Sequence, residues 1–318
     1  MIANWVAAGN GGIIAYSEDG IAWYEATTKG GITSSGLGVA YGTNGSGVGR
    51  WVVAGEATQP IAYSADGKDW TTATSTTGTS LPVRAVAYGK DDSGVGRWVA
   101  VGQGTGFIAF SPNGNNWSAA ATKGGLGFGL SVAYGKDASG VGRWVAGGNG
   151  GLIAYSSDGN TWYEAATKGG IGNYGSGVAY GKDASGAGRW VVVGQVGLIA
   201  YSPNGNNWTE AATKGGITTN GYGVAYGQDA LGVGRWVAVG EGGLIAYSPN
   251  GNNWFEAATK GGITTYAFSV AYGNGKWVVV GSGGRIAYST DGNNWYECAT
   301  KGGFTTLGRG VAYKTLTV

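Results

Sequence analysis

The stretch "GLIAYSPNGNNWTEAATKGG", residues 197–216, returns almost unchanged at residues 243–262 and in looser form five more times along the chain. It holds a β-type apolar run, a Pro-Asn-Gly turn, a tryptophan and a Lys-Gly-Gly. Outward from it, the tryptophans divide into two ladders. One sits in "WV" pairs at Trp5, Trp51, Trp98, Trp144, Trp190, Trp236 and Trp277; the other follows the turn at Trp23, Trp70, Trp117, Trp162, Trp208, Trp254 and Trp295. Seven copies use up all 14 tryptophans, with steps of 41 to 47 residues. Each copy also carries four short runs bounded by turn residues, as in "GVAYG", "RWVAVG", "LIAYS" and "NWTEAA".

A period near 46 with four strands per copy predicts propeller blades rather than helical repeats. The expected fold is all-β: a single seven-bladed β-propeller over residues 1–318, four antiparallel strands per blade. The blades are expected at about 36–73, 83–121, 130–166, 176–212, 222–258, 268–299, and 309–318 with 1–27. The chain starts on a second strand, "NWVAAG", and ends on a spare first strand, Gly310 to Val318. Pairing the two in one blade would remove both open sheet edges, which otherwise invite aggregation.

Composition narrows the function classes. Hydrophobic residues make up 42%, enough for a substantial core, and 68 glycines without a three-residue period fit turn-dense β structure, not collagen. A formal charge of +2 with 12% charged residues leaves no footprint for nucleic acid or an anionic membrane. Histidine is absent, which removes Ser-His-Asp and Cys-His chemistry and most zinc or non-haem iron sites. Cys298 is the only cysteine, so no intrachain disulfide forms. No cofactor or metal is expected. Neither is a membrane span, since apolar runs of about 18 residues are missing, nor a signal peptide at "MIANWVAAGNGG". The compartment stays open, Asn-x-Ser/Thr matches at Asn44, Asn116 and Asn207 being common by chance, and a monomer is expected.

The turn motif Ser-x-Asp/Asn-Gly-x-x-Trp is centred on Asp19, Asp66, Asn113, Asp158, Asn204, Asn250 and Asp291. It resembles the Asp-box, or BNR repeat, of sialidases and related propellers, which lies between the third and fourth strands of a blade. All seven copies carry it, although the usual box has one more residue before its glycine and three copies have Asn for Asp. A structural role is expected, because Asp or Asn bonds its own backbone, Gly takes a positive φ and Trp buries a large surface.

Sialidase activity does not follow from the resemblance, which would imply three carboxylate-clamping arginines, an Asp acid/base and a Tyr/Glu nucleophile pair. Arg50, Arg97, Arg143, Arg189 and Arg235 are one repeated position, as are Glu25, Glu164, Glu210, Glu256 and Glu297, and catalysis needs convergence, not repetition. Asp91, Asp137, Asp183 and Asp229 in the "GKDASGVGR" type of segment lack the dense oxygen ligands of a calcium loop and predict Asx-turns. The lysines of "TKGG", such as Lys123 and Lys214, precede no helix and predict turns between blades, not phosphate cradles.

What differs between copies points to a site. Two residues before each "VA" of the first strand stand Leu37, Arg84, Leu130, Ser176, Tyr222, Phe268 and Arg309. Two residues earlier stand Ser35, Pro82, Phe128, Tyr174, Asn220, Tyr266 and Leu307, and the second strands are followed by Asn10, Glu56, Gln103, Asn149, Gln195, Glu241 and Ser282. All three sets are expected on one face, near the mouth of the central channel. The candidate ligand-binding residues are Arg84, Phe128, Tyr174, Tyr222, Tyr266, Phe268, Arg309, Asn10, Glu56, Gln103, Asn149, Gln195 and Glu241. The leading expectation is a non-catalytic, lectin-like module with shallow repeated sites for glycans, by analogy with propeller lectins. The alternative is a protein-binding scaffold using the same face; a glycoside hydrolase is the third class. Near-identity of two copies also fits recent amplification or design without an evolved ligand.

Overall fold

The computed structural model describes residues 3–314, apart from 57, 77–81, 92, 105, 138 and 230. Among them there is no helix, and the strands fall into seven separate sheets. One blade shows the pattern: Gly175–Lys182, Gly188–Gly194, Ile199–Ser202 and Thr209–Glu210 lie side by side, each antiparallel to the next. The first strands touch one another in chain order, from Ser35–Thr43 through Val83–Lys90, Gly129–Lys136, Gly175–Lys182, Gly221–Gln228 and Ala267–Gly273 to Gly308–Tyr313. That last strand touches Ser35–Thr43 again, and the ring is closed. The fold is a seven-bladed β-propeller.

Blade stacking explains the strand sequences. In the second strand "GRWVVVG", residues 190–194 are all buried, because a neighbouring blade covers each face of the sheet. All 14 tryptophans are buried. The outermost strand is shorter than the expected "NWTEAA", holding only Thr209 and Glu210. The chain leaves the sheet at Ala211, after one last bond to the Ile199 carbonyl (2.8 Å). Thr213 is thereby brought to the next blade, where its Oγ1 accepts from the Trp254 amide (2.6 Å) and donates to the Trp254 carbonyl (2.9 Å). The "TKGG" segments are thus staples between blades. One blade has an unanticipated fifth strand, Ser75–Thr76, parallel to Asn116–Ala119.

Closure joins the chain ends. Gly308–Tyr313 pairs antiparallel with Trp5–Gly9, and the Tyr313 ring meets Trp5 edge-on at 4.8 Å. The closing strand starts two residues before the expected Gly310; residues 315–318 of the expected run lie outside the described residues.

The turn motif closes on itself seven times. In one copy the Ser156 hydroxyl accepts from the Gly159 amide (2.8 Å), and Asp158 Oδ1 accepts from the amides of Asn160 (2.8 Å) and Thr161 (2.7 Å). The Trp162 indole then donates to the Gly159 carbonyl (3.1 Å). Asn204 and Asn250 accept the same two amides through their side-chain oxygens, which is why Asn and Asp interchange here. Arginines of the second strand pin the motif from the adjoining blade: Arg50 donates to the Asn113 carbonyl (2.7 Å) and Arg189 to that of Asn250 (2.5 Å). The Asp183 carboxylate accepts from the Ser185 and Ala187 amides, an Asx-turn, and pairs with Arg189 at 3.1 Å.

Candidate functional site

The variable residues of the first strands share one backbone feature. Each first strand pairs with the second in register until a β-bulge skips a single residue: Gly221 faces Gly240, Gly223 faces Val239, and Tyr222 between them has no partner. The residue skipped in the other six blades is Leu37, Arg84, Leu130, Ser176, Phe268 or Arg309. A bulge adds local twist and re-aims the extra side chain. A glycine at or next to the end of each second strand makes room for the bulged backbone. A Cβ on Gly240 would lie 2.3 Å from the Asn220 carbonyl oxygen, and one on Gly194 would lie 2.2 Å from that of Tyr174.

The seven bulged residues converge. All of them line one cavity of about 550 Å³ at the channel mouth, together with Tyr174, Gln195 and Asn220. Beneath them the wall is small residues, including Gly38, Ser131 and Gly310, and a ring of valines from Val39 to Val311. Of the sequence candidates, Arg84, Tyr174, Gln195, Tyr222, Phe268 and Arg309 are therefore in the cavity wall. Phe128, Tyr266, Asn10, Glu56, Gln103, Asn149 and Glu241 stand outside that wall. Most of these are tied to its rim. Asn149 pairs with Tyr174 across a β-bridge and accepts from the Phe128 amide (2.9 Å), and Glu241 bridges to Tyr266 in the same way. The Gln103 amide donates to the Pro82 carbonyl (2.9 Å).

The mouth is strongly asymmetric. On one side Tyr222, Tyr266 and Phe268 form a cluster with ring centroids 5.5 to 6.2 Å apart. The Arg309 guanidinium lies over the Phe268 ring at 4.3 Å, and its Nε donates to Asn10 Oδ1 (3.2 Å). Burial pulls Arg309 below the ordinary guanidinium range; Glu56 opposes this and Arg84 adds to it. It stays a cation at any working pH. Arg84 and Glu56 approach to 4.0 Å. Tyr222 is pushed up by burial and by the Glu241 carboxylate, which itself accepts from Asn220 Nδ2 (2.7 Å). The other side of the mouth presents Leu37, Leu130 and Ser176, with Arg84 between the two leucines and Tyr174 beside the serine. The seven bulged side chains, of five kinds, thus converge on one cavity.

Leu37, Leu130, Ser176 and Asn220 also line the cavity, although they are not among the sequence candidates. Val196, on the same rim, is a further residue that sequence reasoning passed over, although it stands where most other copies have glycine.

No protein-family model matches the chain, and no curated protein sequence matches it. Solved structures with the same fold do. YCF48 bound to D1 peptide superposes with a TM-score of 0.54 at 15% identity, over 89% of this chain and 86% of that one. Virginiamycin B lyase from Staphylococcus aureus gives 0.56 at 13%, over 82% and 83%. A chain of the nidogen/laminin complex gives 0.54 at 11%, over 98% of both. At these identities the likeness is one of fold.

Proposed function

We propose that this propeller is a non-catalytic recognition module that binds an extended peptide or protein segment at the asymmetric channel mouth. The observation that carries the reading is the convergence of seven bulged side chains, of five kinds, on one cavity. A rigid ring of strands holding variable side chains around a concavity is a common way to build a binding surface. The aromatic cluster offers apolar contact, and Arg309 and Arg84 offer cations to an acidic side chain, the residue types that dominate interface energies. Glu56 and Glu241, the carboxylates at the mouth, each have a neighbour, Arg84 at 4.0 Å and Asn220 at 2.7 Å. Two of the structures similar in fold are complexes, YCF48 with a D1 peptide and nidogen with laminin, which favours protein over glycan as the ligand class. A lectin-like reading calls for repeated sites, whereas the rings of Tyr222, Tyr266 and Phe268 pack against one another, Tyr266 stacked on Phe268 and Tyr222 tilted to both. The Asp-box likeness of the turns bears on how blades are pinned, not on the ligand.

The test is selection of peptides from a displayed random library on the whole chain, followed by affinity measurement on a Tyr222→Ser/Phe268→Ser variant. Affinity should fall at least tenfold with an unchanged melting temperature. Peptides that ignore the variant would overturn the reading, as would a glycan array whose signal the same variant abolishes.

A further inference from the structure

The turn joining the second and third strands of the blade at residues 175–210 departs from its counterparts. The Leu198 amide donates to the Gln195 carbonyl (3.2 Å), and both central residues have positive φ, 58° at Val196 and 69° at Gly197. This is a type I′ turn, which calls for Asn, Asp or Gly at its centre. Equivalent turns, such as those at 149–152 and 241–244, place two glycines there, at 65° and 69° and at 72° and 65°. Among the described residues only Val196 and Asn274 adopt positive φ without being glycine, and Asn274 heads an Asn-Gly pair. A β-branched side chain in this region crowds its own backbone, so Val196 is the outlier.

Burial does not offset that strain. Val196 is 71% exposed, so its methyl groups gain little from burial. Its surroundings are those of the mouth. Gln195, immediately before it, lines the cavity with Tyr174, and the Gly197 amide donates to the Thr219 carbonyl, in the segment that leads to Asn220 and Tyr222. Strained residues that persist without a structural return cluster at sites of function.

We infer that Val196 is a ligand contact: an aliphatic corner on the rim that selects partner segments with an apolar side chain next to the part entering the cavity. This rests on the mouth being a peptide site. With the strained side chain held outward, the contact is preorganised before the partner arrives.

Val196→Asn removes the methyl groups and supplies the residue that type I′ geometry favours, so stability and binding should move in opposite directions. The melting temperature should rise by about 2 °C, while affinity for the peptides selected on the whole chain should fall at least fivefold. Val196→Ile should keep the affinity. Val196→Asn with unchanged affinity overturns the inference, and so does an unchanged or lower melting temperature. The Tyr222→Ser/Phe268→Ser variant separates the two claims. If it loses the peptides while Val196→Asn retains them, the mouth is the site and Val196 is not part of it. If neither variant loses them, both readings fall.

Discussion

Two rings of seven residues, one at each end of the same blades, behave in opposite ways. At the turn-motif end the copies differ only by Asp for Asn, and each side-chain oxygen accepts from the Ser hydroxyl and from the two amides that follow the glycine. At the mouth the seven bulged positions hold Leu, Arg, Ser, Tyr and Phe. The scaffold is common to both, so the difference lies in what surrounds each side chain. A side chain that must satisfy fixed turn amides has few substitutes, whereas one aimed into an open cavity answers only to whatever enters it.

Perturbing the scaffold should have the largest effect. Deleting residues 308–318 removes the strand that pairs with Trp5–Gly9 and opens two sheet edges, and the cooperative thermal transition should be lost in calorimetry. Trp208→Ala at the motif should cost about 3–5 kcal/mol in urea denaturation, because a buried indole leaves a cavity.

A smaller effect concerns acid. Burial works against ionisation of Asp158, but the amides of Thr161 and Asn160 with the Ser156 hydroxyl outweigh it and hold the carboxyl below the usual range. Asp19, Asp66 and Asp291 are shifted the same way, again with burial opposed by their turn donors. A carboxyl whose folded pKa is depressed contributes fully above its unfolded value, about pH 4, and loses that contribution as pH falls through the folded value. Melting temperature should therefore drop more steeply below about pH 4 in the native chain than in a variant with all four changed to Asn. The converse exchange, Asn204→Asp, should add a few tenths of a kcal/mol to about 1 kcal/mol at neutral pH, since a charged acceptor strengthens the same bonds. Smallest of all should be Leu130→Ser or Ser176→Ala at the mouth, within about 0.5 kcal/mol of native stability. A large loss there would erase the contrast between the rings.

Much of this was legible in the sequence. The two tryptophan ladders and the spare terminal strand specify the blade number and the closure, because each copy must bury the same indoles. The turn motif was legible for the same reason. The bulge was not, since Gly-x-Gly-Val-Ala reads as a plain strand until the glycine closing the second strand is seen to admit a carbonyl where a Cβ would clash with it. Without it, Tyr222 and Phe268 pass for loop residues of separate sites rather than members of one wall. The short outer strand was likewise hidden, as the composition of "EAAT" does not reveal that Thr213 is needed by the next blade. Val196 could have been found by asking where one copy lacks the glycine most others have.

The most direct test of the central claim, a single asymmetric site built by the bulges, is a scan of the seven bulged positions against one selected peptide. Each is changed to Ser, with Ser176→Ala as the seventh, and affinity and melting temperature are measured together. Losses concentrated at Tyr222, Phe268 and Arg309, little change at Leu37 and Leu130, and melting temperatures all near native are predicted. Equal losses at all seven positions, or none at any, would contradict it.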